Sequence, residues 1–149
     1  ATAQQVADAQ RELVRIGIDR PAAAATGDPG QWATDPAQRR SLPVADFAAL
    51  AAARTGDGHG LPAPDVILDV RLRNEWQRGH IEGALHIPLF ELPRRCAELP
   101  EGVVWAHCSS GYRSAVAASI LANADRRVVL VDDRFERAAS TGNPVTTSA

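Results

Sequence analysis

A chain of 149 residues has room for one ordinary domain and an extension, and a 45% hydrophobic content is enough for a buried core. The net charge of −2 offers no electrostatic case for nucleic acid or an anionic membrane as partner. No stretch approaches the roughly 20 apolar residues of a membrane span, and the N-terminus lacks the basic and apolar regions of a secretion signal.

Val6, Ala9, Leu13 and Ile16 recur at helical spacing and predict an amphipathic helix over residues 2–16. Residues 20–43, rich in Pro, Gly, Ala, Asp and Arg, read as an irregular linker. After Pro43 a short helix is expected from Val44 to Ala53, then a loop rich in glycine and proline. Val66-Ile67-Leu68-Asp69-Val70 is a continuous run of the kind buried on both faces of a sheet. A helical turn is expected over Asn74 to Arg78, and a short strand from Ala84 to Ile87 that ends at Pro88. Glu91 to Leu99 reads as a helix with Pro93 in its first turn. Val103 to His107 and Arg127 to Val131 are further strands, Tyr112 to Ala124 is the longest helix, and Phe135 to Ala139 a last short one. Short apolar strands alternating with helices imply a mainly parallel sheet covered on both faces. In such sheets ligands bind beyond the carboxyl ends of the strands.

Cys108 stands at one of those ends, in the run His107-Cys108-Ser109-Ser110-Gly111-Tyr112-Arg113-Ser114. A cysteine between a buried strand and the first turn of a helix faces unpaired backbone N–H groups and the positive end of the helix dipole. Both favour a thiolate over a thiol. Gly111 permits the positive φ where the loop must turn, so that successive N–H groups converge around the sulfur. Ser109, Ser110 and Ser114 can donate to a bound anion or a persulfide, Tyr112 offers a pocket wall, and Arg113 adds a fixed charge at the rim. The chemistry suited to this seat is covalent: a thiolate takes a group and hands it on.

These residues resemble the active-site loop of the rhodanese-like family, whose single-domain bacterial members carry Cys-x-x-Gly-x-Arg. Leu68-Asp69-Val70-Arg71 with Glu75-Trp76 is similar to that family's Asp-Val-Arg block. Gly79-His80-Ile81-Glu82-Gly83-Ala84 with His86-Ile87-Pro88 resembles its Gly-His-Ile-x-Gly-Ala block. The resemblance implies an α/β rhodanese-like fold over residues 43–146: a mainly parallel five-stranded sheet with helices on both faces. It implies a sulfurtransferase in which Cys108 becomes a persulfide, Ser109, Ser110, Gly111, Tyr112, Arg113 and Ser114 bind substrate, and neither metal nor cofactor takes part. Thiosulfate, sulfite or a thiol persulfide would be the small-molecule partners. Asp133-Arg134 and Ala138 depart from the family's Gly-Gly pair and tryptophan, whereas Gly142 and Pro144-Val145 match its ending.

Residues 1–42, a helix and linker, lie outside that domain. Leu13 to Pro21 is similar to the connector before the rhodanese module of metallo-β-lactamase–rhodanese fusion proteins, and Cys108-Ser109-Ser110-Gly111-Tyr112-Arg113-Ser114 resembles that group's Cys-x-Ser-Gly-Tyr-Arg-Ser loop variant. The implication is a parent protein whose other domain oxidises persulfides, the zinc motif of that domain being absent from this sequence. The missing initiator methionine agrees with a fragment or a renumbered chain.

Two other readings compete. Cysteine phosphatases and arsenate reductases of the related fold use His-Cys-x5-Arg, one residue longer, which widens the cradle for a tetrahedral phosphate; the shorter loop here favours a single sulfur. A non-catalytic interaction module of the same family usually lacks the cysteine. Among the remaining residues, Cys96 reads as a structural or exposed thiol rather than a resolving cysteine, and Asp69, Arg71 and Glu75 as scaffold ion pairs. Arg113 is open between bracing the loop against Glu75 and binding substrate. His80 reads as a turn pin, His107 as pointing away from Cys108, and His80 with His86 as no metal site. With Cys96 and Cys108 forming no disulfide framework, a reducing cytoplasm is the expected setting. The sixteen basic residues, every one arginine, read as compositional bias rather than a nucleic-acid signal.

Overall fold

The computed structural model describes residues 1–15, 19–32, 35, 41–58 and 60–147. They divide into two compact units, Ala1–Ser41 and Leu42–Ala149.

In the first unit the helix α1, Ala3–Arg15, forms as its spacing predicts. Thr2 and Gln5 cap it reciprocally: the Gln5 N–H donates to Thr2 Oγ1 at 3.2 Å, and the Thr2 N–H to Gln5 Oε1 at 2.8 Å. Ion pairs Arg11–Asp8 and Arg15–Glu12 line its polar side. None of its described residues is buried, and Ile16 of the expected apolar stripe lies outside the described residues. The described residues of the linker include a short 3-10 turn, Pro29–Gln31.

The second unit is built on a five-stranded, wholly parallel sheet in the order β1-β6-β5-β2-β4. Its strands are β1 (Val44–Ala45), β2 (Val66–Asp69), β4 (Leu85–His86), β5 (Val103–His107) and β6 (Arg127–Val131). A separate antiparallel pair joins β3 (His80–Ile81) to β7 (Val145–Thr146). The helices are α2 (Phe47–Arg54), α3 (Arg73–Arg78), α4 (Leu92–Arg95) and α5 (Tyr112–Asn123).

Strand alternation sorts the core into two layers, because successive side chains leave opposite faces. Val66, Leu68, Val104, Ala106 and Cys108 pack with Leu92 of α4 and with Ala117, Ala118 and Leu121 of α5. Ile67, Val103, Trp105, Val129 and Val131 pack on the other face with Phe47, Leu50 and Ala53 of α2. Full burial of each larger apolar side chain stabilises by roughly 1.5–3 kcal/mol, and Trp105 adds a bond from Nε1 to the Pro62 carbonyl at 3.0 Å.

Three local expectations are corrected. Val44 and Ala45 belong to an edge strand rather than a helix start: the Leu130 N–H bonds the Pro43 carbonyl and the Asp132 N–H bonds Ala45. The helix begins only after Asp46, whose carboxylate caps the Ala49 N–H at 2.8 Å. The Glu91–Leu99 helix is a single turn, α4, followed by a 3-10 turn at Cys96–Glu98. The helix expected at Phe135–Ala139 is a pair of 3-10 turns, Phe135–Arg137 and Ala139–Thr141.

Candidate active site

β5 ends at His107, and α5 begins at Tyr112, so four residues carry the chain from Cys108 into the helix. Gly111 occupies the N-cap at φ 90°, a conformation that disfavours any side chain. A Cβ there would also overlap the Asp132 carboxylate. The turn brings the N–H groups of Ser110, Gly111 and Ser114 onto the Cys108 sulfur. Burial in the α5 layer opposes ionisation, but those N–H groups and the Ser114 hydroxyl outweigh it and hold the thiol below its ordinary value.

Ser114 has one hydroxyl proton and three neighbours for it. Its Oγ lies 3.5 Å from Cys108 Sγ, 2.8 Å from the Gly111 carbonyl and 3.0 Å from the Val131 carbonyl. With a thiol at 108, the proton can serve a carbonyl while S–H points at Oγ; a thiolate needs it turned to sulfur. Ser114→Ala is therefore expected to move the pH midpoint of iodoacetamide alkylation, followed on the Cys108 peptide, to higher pH. An unmoved midpoint would assign the thiolate's support to the backbone alone.

Arg113 turns away from open solvent into a fork on Glu75, Nη1 to Oε2 at 2.6 Å and Nη2 to Oε1 at 2.8 Å. Nη2 also donates to Ser109 Oγ at 2.8 Å. The Arg113 bond holds the Glu75 carboxyl down at about 2, against partial burial and with help from the Leu72 N–H. Glu75, followed by the Cys108 thiolate, raises Arg113 above its ordinary value. This pair ties α3 to the first turn of α5 and clamps both ends of the loop.

A second ionic group lies beneath. Buried Asp69 takes the Arg71 Nε and Nη2 at 2.6–3.0 Å, and Nη2 also reaches the Gly79 carbonyl at 2.7 Å. The Arg71 guanidinium lies 3.5 Å from the Phe135 ring centroid. Phe135 in turn donates its N–H to the Ser109 carbonyl at 3.1 Å, fastening the segment after β6 to the cysteine loop. Asp133 fills the rim position with its side chain turned in, accepting from the Phe47 N–H at 3.2 Å and from Arg137 at 3.0 Å.

A cavity of about 420 Å³ opens beside the loop, with Ser109, Arg71, Arg78, Phe135, Glu136 and Val145 in its walls. Cys108 is not in that wall; its side chain is 1% exposed, and Ser109 connects the two. Of the residues expected from sequence, Ser110, Gly111 and Ser114 meet at the sulfur, while Arg113 binds both Ser109 and Glu75. Tyr112 stands outside both, 79% exposed at the start of α5. Gly79 and Val145 stand in family-like blocks, but spacing does not show that they and Phe135, all from distant segments, share a wall with Ser109.

His107 points to the opposite layer, 5.5 Å from the Phe47 ring and 5.7 Å from Phe135. His80 donates from Nδ1 to the Trp76 carbonyl at 3.1 Å and stacks on its ring, with His86 on the same tryptophan. Cys96 is half-buried against the α5 layer. Among the described residues no group of three or more His, Cys, Asp or Glu is placed to hold a metal, and no described helix is long and apolar enough to cross a membrane.

The family model of the rhodanese-like domain matches residues 50–140. A Bacillus subtilis protein named "Putative sulfur carrier protein YrkF" is 47% identical over 53 residues, 35% of this chain and 29% of that protein. The Mycobacterium tuberculosis HTH-type transcriptional regulator Rv0324 is 38% identical over 82 residues, 53% of this chain and 36% of that one. The matches thus span well under half the length of these curated relatives. The solution structure of the rhodanese-like domain of Anabaena Alr3790 superposes with a TM-score of 0.60 at 25% identity, covering 72% of this chain and 81% of that chain.

Proposed function

Because the chain belongs to the rhodanese-like domain family, we propose that it is a sulfurtransferase working through a Cys108 persulfide. The observation that carries this reading is the placement of the Cys108 thiol between the end of β5 and the start of α5, with the Ser114 hydroxyl 3.5 Å away and the loop N–H groups turned toward it, an arrangement that favours the thiolate. The thiolate attacks the sulfane sulfur of thiosulfate or of a thiol persulfide, and the donor leaves as sulfite or thiolate. The persulfide then sits in the cradle of Ser110, Gly111 and Ser114, positioned by the Arg113–Glu75 clamp, until sulfite or a thiol removes the sulfur. Ser109 and Tyr112 border the approach. The four-residue spacing between Cys108 and Arg113 supports a single sulfur over a tetrahedral phosphate as the group held. The sulfur-carrier description of YrkF agrees with this chemistry.

In the same reading, residues 43–146 are the transfer module and residues 1–42 a connector to a persulfide-oxidising domain of a parent protein. A reducing cytoplasm keeps Cys108 and Cys96 as thiols.

Incubation with thiosulfate is expected to raise the intact mass of Cys108-bearing protein by one sulfur, and sulfite or excess thiol to remove it. Hydrolysis of an aryl phosphate without that adduct would select the phosphatase reading instead. Absence of both would leave a non-catalytic module.

A further inference from the structure

Exposed apolar side chains gather where a small-molecule transfer has no use for them. Leu72 follows β2, Phe90 follows β4 and Tyr112 follows β5, three strands that lie side by side as β5-β2-β4. They are 47%, 70% and 79% exposed. Phe90 and Tyr112 are the exposed aromatic residues among those described in Leu42–Ala149. The backbone holds the three near one another: the Leu89 N–H bonds the Val70 carbonyl at 3.1 Å, setting Phe90 alongside Arg71 and Leu72. The Leu72 N–H reaches Glu75 at 2.9 Å, and Glu75 holds Arg113 beside Tyr112. Cys108 lies recessed at the same edge.

The unpaired exposed charge flanking Leu72 and Phe90 is positive, while the exposed Asp132 carboxylate lies against Gly111, next to Tyr112. Exposed Arg73 and Arg94 meet no carboxylate among the described residues. The carboxylates on their own segments are engaged, Glu75 by Arg113 and Glu91 by Arg95, both at 2.6 Å. Exposed aromatic anchors flanked by unneutralised arginines are what a protein surface presents to a partner of opposite charge.

Resting on the sulfurtransferase reading, we propose that this rim docks a protein acceptor whose cysteine lies in an acidic, leucine-bearing segment. The acceptor thiolate attacks the outer sulfur of the Cys108 persulfide. A sulfur–sulfur bond forms on the acceptor, the bond to Cys108 breaks, and its electron pair stays on Cys108 as thiolate under the loop N–H groups. The sulfur moves without change of oxidation state, so no oxidant is required. Sulfite or a free thiol would need none of Leu72, Phe90 or Arg94.

The test loads the full chain from thiosulfate, confirmed by intact mass. It then compares three acceptors: N-acetylcysteine, a synthetic heptapeptide with one central cysteine flanked by leucine, glutamate and aspartate, and the same peptide with lysine for each acid. The acidic peptide is expected to show kcat/KM at least about tenfold above the other two. Phe90→Ser and Arg94→Glu should each remove most of that advantage, leaving thiosulfate loading and transfer to N-acetylcysteine unchanged. Equal rates for all three acceptors, or variants that slow them alike, would overturn the docking proposal and leave the transfer chemistry standing. A dimer in sedimentation that Phe90→Ser dissolves would give the rim to a second copy and overturn it too. Failure of the wild-type chain to load would instead overturn the sulfurtransferase reading, and this proposal with it.

Discussion

Replacing Cys108 with alanine is expected to lower sulfur transfer from thiosulfate by at least about 10³-fold while leaving the fold intact. A covalent intermediate has no substitute here. The hydroxyls of Ser109, Ser110 and Ser114 share the loop, but their protons are far too tightly held for nucleophilic attack at neutral pH. Cys96 sits where α4 passes into a 3-10 turn, outside the loop that joins β5 to α5. Removing one sulfur atom beside Ala117 and Ala118 costs little packing, so circular dichroism and the thermal midpoint should stay close to those of the parent. Cys96→Ala is the matched control and should retain full transfer. Transfer that survives Cys108→Ala and disappears in Cys96→Ala would relocate the nucleophile and undo the assignment.

The parts of the fold legible in sequence are those whose information is local. Val103–His107 and Arg127–Val131 form with the expected bounds, because Val103-Val104-Trp105 in one and the valines at 128, 129 and 131 in the other favour a strand and stand between polar or glycine residues. Val44–Ala45 is a strand only because backbone groups of Pro43 and Ala45 receive the N–H groups of Leu130 and Asp132, a contact across 87 residues with no periodic signature. The alanine-rich stretch after it favours a helix, and Asp46 decides where that helix starts. The β3–β7 pair is two residues on each side, too short for alternation to show.

The site divides in the same way. The cysteine cradle was readable because its donors, Ser110, Gly111 and Ser114, all lie within six residues of Cys108. Sequence left Arg113 between two roles, and its bidentate fork on Glu75 is a geometry that spacing cannot express. The departures at Asp133, Arg134 and Ala138 marked an altered rim. What occupies it, Phe135 between Arg71 and the loop, depends on how the chain leaves β6.

Acid is expected to destabilise the protein through His107, and His107→Phe to remove that effect. The ring is fully buried, and Nε2 stands 3.8 Å from Asp69 Oδ2. Burial lowers its pKa from 6.5 to about 4; Asp69 pulls against burial, and Arg71 adds to it. Between those values the unfolded chain binds the proton and the folded chain refuses it. The stabilisation is therefore complete above pH 6.5 and is lost as pH falls toward 4, on the order of 3 kcal/mol in all. Glu75, held at about 2, gives up its share only below its ordinary 4.5, so the two windows scarcely overlap. Urea midpoints measured across pH 4–6.5 should fall steeply for the parent and stay nearly level for His107→Phe, which keeps a ring against Phe47 and Phe135. Parallel slopes for the two proteins would refute the assignment. Strand alternation turns His107 toward Phe47 and Cys108 toward Ala117, so the same substitution should leave the Cys108 alkylation profile in place. A profile displaced as far as that of Ser114→Ala would mean that His107 supports the thiolate across the sheet.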